Sequence, residues 1–495
     1  MKPATAGRDM TQGPLARNLL AVAWPVMLSF LLHTLYNLVD AFWLGKLGKA
    51  ALVAPTITMN VIFIGMSVAM GLGMGGTTLV SQYRGAGQVK EMGRAGGQTL
   101  ILLSFVGLGI AIIGFIFAVP ILKLLQTPPD AFGETLIYLR WILVGMPCMF
   151  AFFVYQGIYT GMGDTVGPLQ VNAITVLLNV VLDPILIFGI GPFPEMGVAG
   201  AALATCLSRG LASCIGLYRL FRGNRGFRLQ LSDLRWDRGI MIRILRIGVP
   251  MSLGQTGTSL GFTLLMGIVN TFGSAVTAAF GIGHRIIHMA LVPMFGLSQA
   301  NATAVGQNLG ADQPERAARS VRISALMTGL VLLPITTMMF CFGDSISRLF
   351  INDPEVIQYG HDLFRITSSS VFAFGFVMVI LGSFQGSGHT VPVMVLNLSR
   401  LWVIRIPAAF LLAIVLGMGP TGLWWAMFLS NTLTAIAAFI WFSTGTWKRK
   451  VIEPEIRPAD SSRVVGSVAG PVGSSMAAGP EEDSSDLTVA AGSSD

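Results

Sequence analysis

Gly161-Met162-Gly163-Asp164-Thr165-Val166, leading on to Asn172, reappears later in the chain as Gly386-Ser387-Gly388-His389-Thr390-Val391, leading on to Asn397. The offset is 225 residues, and it holds elsewhere: Pro25 returns as Pro250, Gln82 as Gln307, Gly85 as Gly310, Ala86 as Ala311 and Arg140 as Arg365. After a shorter loop, Gly197 and Gly200 return as Gly419 and Gly422 at an offset of 222. Single identities arise by chance, but a constant offset across many element boundaries does not. The chain is a tandem repeat, so the fold of one half is the fold of the other.

Composition says what each half contains. Of 495 residues, 53% are hydrophobic and 11% charged, against about 25% charged in soluble domains. Crossing a bilayer takes about 20 apolar residues. Runs of that length predict spans at 18–45, 50–82, 98–125, 133–159, 166–190, 196–221, 245–272, 275–309, 320–343, 357–386, 389–417 and 420–446. Several are long enough to tilt or to protrude into the headgroups. Each half holds six spans, an even number, so both halves run the same way through the membrane. The expected fold is all-α and integral to the membrane, with two parallel six-helix repeats and a binding site between them. Its divisions are a segment 1–17, an N-lobe 18–221, a basic linker 222–244, a C-lobe 245–446 and a tail 447–495. The linker, with its arginines and Trp236, reads as an interfacial amphipathic helix. The tail is too polar to fold.

The net charge of +8 raises the question of a nucleic-acid partner. With both termini placed in the cytoplasm, the cytoplasmic segments and the span ends bordering them hold 22 of the 32 Lys and Arg, and the external loops with their bordering span ends hold Lys46, Lys49, Lys123 and Arg348. That asymmetry is the positive-inside rule. Orientation and anionic lipid account for the charge, and no nucleic-acid partner is expected. The first apolar run is too long for a cleaved signal peptide. Cys148, Cys206, Cys214 and Cys341 all fall in spans and read as small apolar residues.

The repeat also serves as an internal control. Residues kept in both halves read as scaffold; polar residues in one half only are candidates for chemistry. Of 24 acids, only Asp40 and Asp183 fall well inside spans, where a carboxylate is costly and marks function by default. Asn179 stands four residues before Asp183, on the same helical face, and Pro184 follows, freeing a carbonyl and kinking span 5. At 1.5 Å per residue, Asp40, Asp183 and Thr205 lie roughly 8, 10 and 12 Å below the outer ends of spans 1, 5 and 6. Their repeat partners are Leu265, Ala408 and Met427, and Asn179 maps to Ile404. All are apolar, so the chemistry is one-sided. Oxygen ligands suit a hard cation, and two carboxylates in one dry cavity suit a proton and titrate as a unit.

At these residues the sequence resembles the multidrug and toxic compound extrusion (MATE) family. The resemblance covers about residues 15–446. It rests on Pro25 with Tyr36-Asn37-Leu38-Val39-Asp40, on Asn179-Val180-Val181-Leu182-Asp183-Pro184, on Gly200-Ala201-Ala202-Leu203-Ala204-Thr205, and on Gly306-Gln307 with Gly310-Ala311. It implies two lobes in a V around a central cleft, and a secondary antiporter that exports organic compounds in exchange for H⁺ or Na⁺. The N-lobe cation site would use Asp40, Asn179, Asp183 and Thr205, with Na⁺ as one candidate occupant and Tyr36, Asn37 and Tyr138 beside it. Pro25 and Pro184 would act as hinges. One branch of the family keeps acids on helices 7 and 10; here Thr258 and Phe374 stand at the matching positions, so the DinF-like branch fits better. No cofactor beyond the coupling ion is expected. The expected partners are small organic molecules, cationic or amphipathic, and membrane lipid. A monomer in a prokaryotic inner membrane is expected.

Other signals carry less. Gly71-Leu72-Gly73-Met74-Gly75-Gly76 satisfies GxGxxG but lies within an apolar helix with no preceding strand, where close helix packing explains it. His284 and His288 stand four apart beside Arg285, without a third metal ligand; this cluster reads as cleft lining. A lipid-linked saccharide flippase would share the architecture but should carry a cationic cleft. A membrane enzyme would need a nucleophile or acid–base constellation, and none is spaced convincingly.

Overall fold

The computed structural model describes residues 7–223 and 227–452. Among them are twelve long helices: α1 Leu15–Leu47, α2 Lys49–Gly85, α3 Val89–Leu124, α4 Phe132–Gly161, α5 Val166–Phe188, α6 Gly197–Arg222, α7 Arg238–Asn270, α8 Ser274–Gly310, α9 Pro314–Cys341, α10 Pro354–Ser387, α11 Thr390–Val415 and α12 Pro420–Ser443. Each predicted span lies on one of them. Eleven are long and apolar enough to cross a membrane. The twelfth, α7, has the length at 33 residues but carries the polar run Gln255-Thr256-Gly257-Thr258-Ser259 at its middle. A short helix, Gly343–Arg348, precedes α10 and was not expected. α10 then starts cleanly, because the Asp353 carboxylate caps the Glu355 and Val356 amides and Pro354 occupies the first turn.

With an even number of helices, the start of α1 and the end of α12 lie on one side, here called the terminal side. α1 to α6 form the N-lobe and α7 to α12 the C-lobe. The N-lobe core gathers around Phe150, Tyr155 and Tyr159 and takes in Ile240, Ile244 and Ile247 from the first half of α7. The C-lobe core gathers around Phe280, Phe364 and Trp424.

The repeated residues prove to be the joints. A Cβ on Gly85 would sit 1.8 Å from the Gln307 carbonyl oxygen, and one on Gly310 would sit 1.9 Å from that of Gln82. Each glycine thus receives the glutamine main chain of the other lobe. Gln82 donates to the Gly386 carbonyl at 3.1 Å, and Gln307 donates to the Gly161 carbonyl at 2.9 Å. Thr165 donates to the Val22 carbonyl at 2.9 Å, and Thr390 to the Ile247 carbonyl at 2.6 Å. Val22 and Ile247 stand three residues before Pro25 and Pro250, next to the Ala21 and Arg246 carbonyls that the prolines leave without amide partners. The scaffold reading of the shared residues is therefore given a physical content: Gln82, Gly85, Gln307 and Gly310 hold the lobes together on the terminal side, while Thr165 and Thr390 tie α5 to α1 and α11 to α7 within each lobe.

Two expectations need correction. The described part of the linker is not an amphipathic helix. After Arg222 the chain buries Phe227 and Leu229, makes one 3₁₀ turn at Leu231–Leu234 and enters α7 with Asp237 as cap. The buried Gln98 of α3 explains this. It donates to the Asp233 and Arg235 carbonyls at 3.3 and 2.7 Å and accepts from the Asp237 amide at 3.1 Å, satisfying main-chain groups a helix would have paired internally. Trp236 remains 67% exposed, as an interfacial residue should be. The tail assignment falls mostly on residues 453–495, which lie outside the described residues, as do 1–6 of the N-terminal segment and 224–226 of the linker. Residues 447–452, however, pack into the bundle. Trp447 is buried and stacks on Phe442 with ring centres 4.8 Å apart. The Val451 and Ile452 amides donate to the Gln82 side chain at 3.0 and 3.4 Å. At the other end of the chain, the Met10 amide donates to the Gln307 side chain at 2.9 Å.

Candidate functional site

Three helices bring oxygen-bearing side chains together in the half of the N-lobe away from the terminal side. Asp40 stands seven residues before the end of α1 at Leu47, Asp183 five before the end of α5 at Phe188, and Thr205 eight after the start of α6 at Gly197. These spacings place all three roughly 8–12 Å from the helix ends. α1 turns Tyr36 and Asp40 to one face, one turn apart, and both are buried. α5 does the same with Asn179 and Asp183.

The geometry joins them in two pairs. The Asn179 amide donates to Asp183 Oδ1 at 3.1 Å. Tyr36 and Thr205 share a hydrogen bond of 2.6 Å between their hydroxyls, bridging α1 and α6. Asp183 lies within electrostatic reach of Asp40, and both act on the buried Tyr138 of α4. Asp40 Oδ1, Asp183 Oδ2 and Asn179 Oδ1 are buried without hydrogen-bond partners. Among the described residues neither carboxylate takes part in an ion pair. An apolar cap of Leu44, Ile142, Ile187 and Val198 packs around Tyr138.

The remaining predicted residues divide. Asn37 is half-buried beside Tyr36 on α1. Pro25 is buried within α1, which stays continuous through it, and the Ser29 hydroxyl donates to the Pro25 carbonyl at 2.9 Å. Pro184 lies inside α5 directly after Asp183. His284 and His288 extend an aromatic ladder along α8: His284 lies 4.6 Å from the Phe262 ring, His288 lies 5.8 Å from Phe295, and Phe295 stacks 5.2 Å from Phe30 of α1. Arg285 is exposed and sits further round α8.

Two residues at the site escaped the sequence reading. The Arg209 guanidinium lies 5.1 Å over the Tyr36 ring and approaches Asn172 and His33, each at 3.5 Å. It stands one turn beyond Thr205 on α6. His33 stacks on Tyr36 with ring centres 6.1 Å apart. A cation thus lies over the Tyr36 ring.

Comparison with known proteins meets the fold at these same residues. The MatE family profile matches twice, over residues 25–185 and 250–411. The two matches begin 225 residues apart, at Pro25 and Pro250. A probable multidrug resistance protein of Bacillus subtilis, YpnP, is 28% identical over 442 residues, covering 89% of this chain and 97% of that protein. A transporter of the MOP superfamily from Pyrococcus furiosus, described as having a binding pocket of reverse polarity, superposes with a TM-score of 0.83 at 25% identity, over 91% of this chain and all of the other. A multidrug resistance MATE family transporter in an outward-facing conformation superposes with a TM-score of 0.82 at 26% identity, over 90% of this chain and 98% of the other. Matched once in each lobe, the chain belongs to the MatE family, the multidrug and toxic compound extrusion transporters.

Proposed function

We propose that this transporter exports small organic compounds from the cytoplasm in exchange for H⁺ or Na⁺, coupled through Asp40 and Asp183. One observation carries the reading. Two buried carboxylates from separate helices, each with an unpaired oxygen, share the N-lobe without an ion pair among the described residues. Packing requires no acid there, and the cost of keeping one in the membrane is several kcal/mol, on the order of 2.5–3.5 for an aspartate at a helix centre. A proton or a sodium ion entering from the outer side offsets that cost. Asn179 and Thr205 add neutral oxygens beside the carboxylates, and the apolar cap around Tyr138 excludes water.

Coupling then requires that ion and cargo favour different conformations. In the present conformation the lobes meet through terminal-side residues, the Gln82 and Gln307 joints among them. Neutralising Asp40 and Asp183 lets α1 repack against α5 and α6, with Pro25 as the place where α1 can bend. The cargo loses its site and leaves outward. Within the family the chain fits the DinF-like branch: Thr258 spends its hydroxyl on the Gly254 carbonyl at 2.7 Å, and Phe374 lies under Arg400.

Efflux of a fluorescent organic compound from proteoliposomes, under an imposed pH or Na⁺ gradient, tests this directly. Export should follow one of the gradients in the wild type and fall at least about tenfold in Asp40→Asn, the loss of a step worth ~1.4 kcal/mol or more. Full gradient-driven export by Asp40→Asn would sink the assignment.

A further inference from the structure

The second half of the molecule carries its own charge asymmetry, of opposite sign. Arg400 and Arg405 stand ten and fifteen residues into α11, a helix of 26 residues, and so near the middle of a span of roughly 39 Å. An arginine at that depth is costly and is paired or functional by default. Neither finds an acid among the described residues. The closest candidate along the neighbouring helix, Asp362 of α10, lies eight residues outward from Ser370, about 12 Å along the axis, whereas Ser370 is where α10 meets this cluster.

What surrounds the two guanidinium groups is neutral. Arg405 donates to the Ser430 hydroxyl at 2.8 Å and to Asn431 Oδ1 at 2.6 Å, and Arg400 reaches the same Asn431 oxygen at 3.4 Å. Arg400 lies 4.4 Å over the Phe374 ring, and its Nε is buried without a partner. Two like charges therefore converge on one amide oxygen, positioned but not neutralised. The backbone departs from α-helix here: α11 runs in π-helical turns over Ser399–Arg405 and Phe410–Val415, on either side of Pro407, and such turns gather at functional sites. By the repeat the two arginines correspond to Thr175 and Val180, or to Leu177 and Leu182 when Pro184 is aligned with Pro407. None is charged. The acids of the N-lobe and these two arginines of the C-lobe each lack a counterpart in the other lobe.

A buried guanidinium pair without a carboxylate is destabilising by itself, since uncompensated charge is costly in a low dielectric. The planar fork of an arginine matches a carboxylate or phosphate, and its flat face matches an aromatic ring. We propose that Arg400 and Arg405, with Asn431 and Phe374, form an oxyanion-binding subsite in the C-lobe that takes the carboxylate or phosphate of an aromatic, amphipathic compound. The cargo then carries an anionic group as well as an apolar body. This deepens the export reading and rests on it only for the word cargo; the subsite itself is read from binding.

The test uses ligand pairs that differ by one anionic group, bound to the purified full chain in nanodiscs of zwitterionic lipid with no ion gradient. Flavin mononucleotide and riboflavin share ring and chain and differ by the phosphate. Naphthalene-2-carboxylate and naphthalene-2-methanol do the same for a smaller cavity. The wild type should bind the anionic member of at least one pair about tenfold or more tighter, as charge-assisted hydrogen bonds predict. That preference should fall towards one in Arg400→Gln and in Arg405→Gln, and return in part in Arg405→Lys, which keeps the charge and loses the fork. Arg140→Gln, which removes an exposed arginine of the N-lobe, should keep it, and because binding is read without a gradient, loss of coupling and loss of the subsite are read separately. Loss of the preference on adding phosphatidylglycerol, restored by its removal, would assign the same guanidinium pair to a lipid headgroup. Equal affinity or no binding in both pairs, or a preference that both glutamine variants retain, would overturn the proposal.

Discussion

The hydroxyl pair of Tyr36 and Thr205 is the tightest link between α1 and α6 at the candidate coupling site, at 2.6 Å and fully enclosed. Thr205→Val keeps the shape and leaves the Tyr36 hydroxyl buried without that partner, a loss of roughly 1–3 kcal/mol. Thermal unfolding of the purified protein should register it, and gradient-driven efflux should fall several-fold. Tyr36→Phe should do the same, and the double variant should cost less than the sum because both remove one bond. Additive losses would separate the two residues. Asp40, Asn179, Asp183 and Thr205 were legible in the sequence because acids are rare in apolar helices and the repeat shows what the same positions hold without chemistry. Arg209 and His33 were not. Their link to the site is through the Tyr36 ring, and ring contacts depend on how α1 and α6 are rotated against each other.

Among the elements, α2, α4, α8 and α10 repay attention, since their repeated residues form the terminal-side joints. Gly85 and Gly310 admit the other lobe's main chain at distances no side chain tolerates. Gly85→Val forces α2 and α8 apart at that point, with a cost of about 1–3 kcal/mol as overpacking usually has. Its consequence is directional: the terminal side should open. Thr78, whose hydroxyl donates across the lobes to the Gln385 carbonyl at 2.9 Å, is a buried reporter there. In a variant with the four native cysteines replaced, Thr78→Cys should resist a water-soluble thiol reagent, and adding Gly85→Val should raise its labelling severalfold. Unchanged labelling would mean that the joint does not control access. The linker shows the limit of reading elements from pattern. Its arginines and Trp236 have the composition of an interfacial helix, yet a single buried glutamine on α3 holds its main chain in another form.

For the molecule as a whole, the distribution of lysine and arginine predicts its orientation. A fluorescent protein fused after residue 495 should be bright, and alkaline phosphatase at the same place inactive, if the terminal side faces the cytoplasm as that distribution predicts. The reverse result would invert the direction assigned to export. Number of spans, tandem repeat and one-sided placement of the acids were all determined by the sequence by itself. These are properties of the chain against its solvent: a bilayer admits long apolar runs, rejects charge and sorts cations to one face. The tertiary structure alone decided that repeated residues clasp the opposite lobe, that Arg209 closes over Tyr36, and that Arg400 and Arg405 meet at Asn431 without an acid. Such meetings depend on the rotation and crossing of helices distant in the chain, and no local pattern records which faces will turn towards each other.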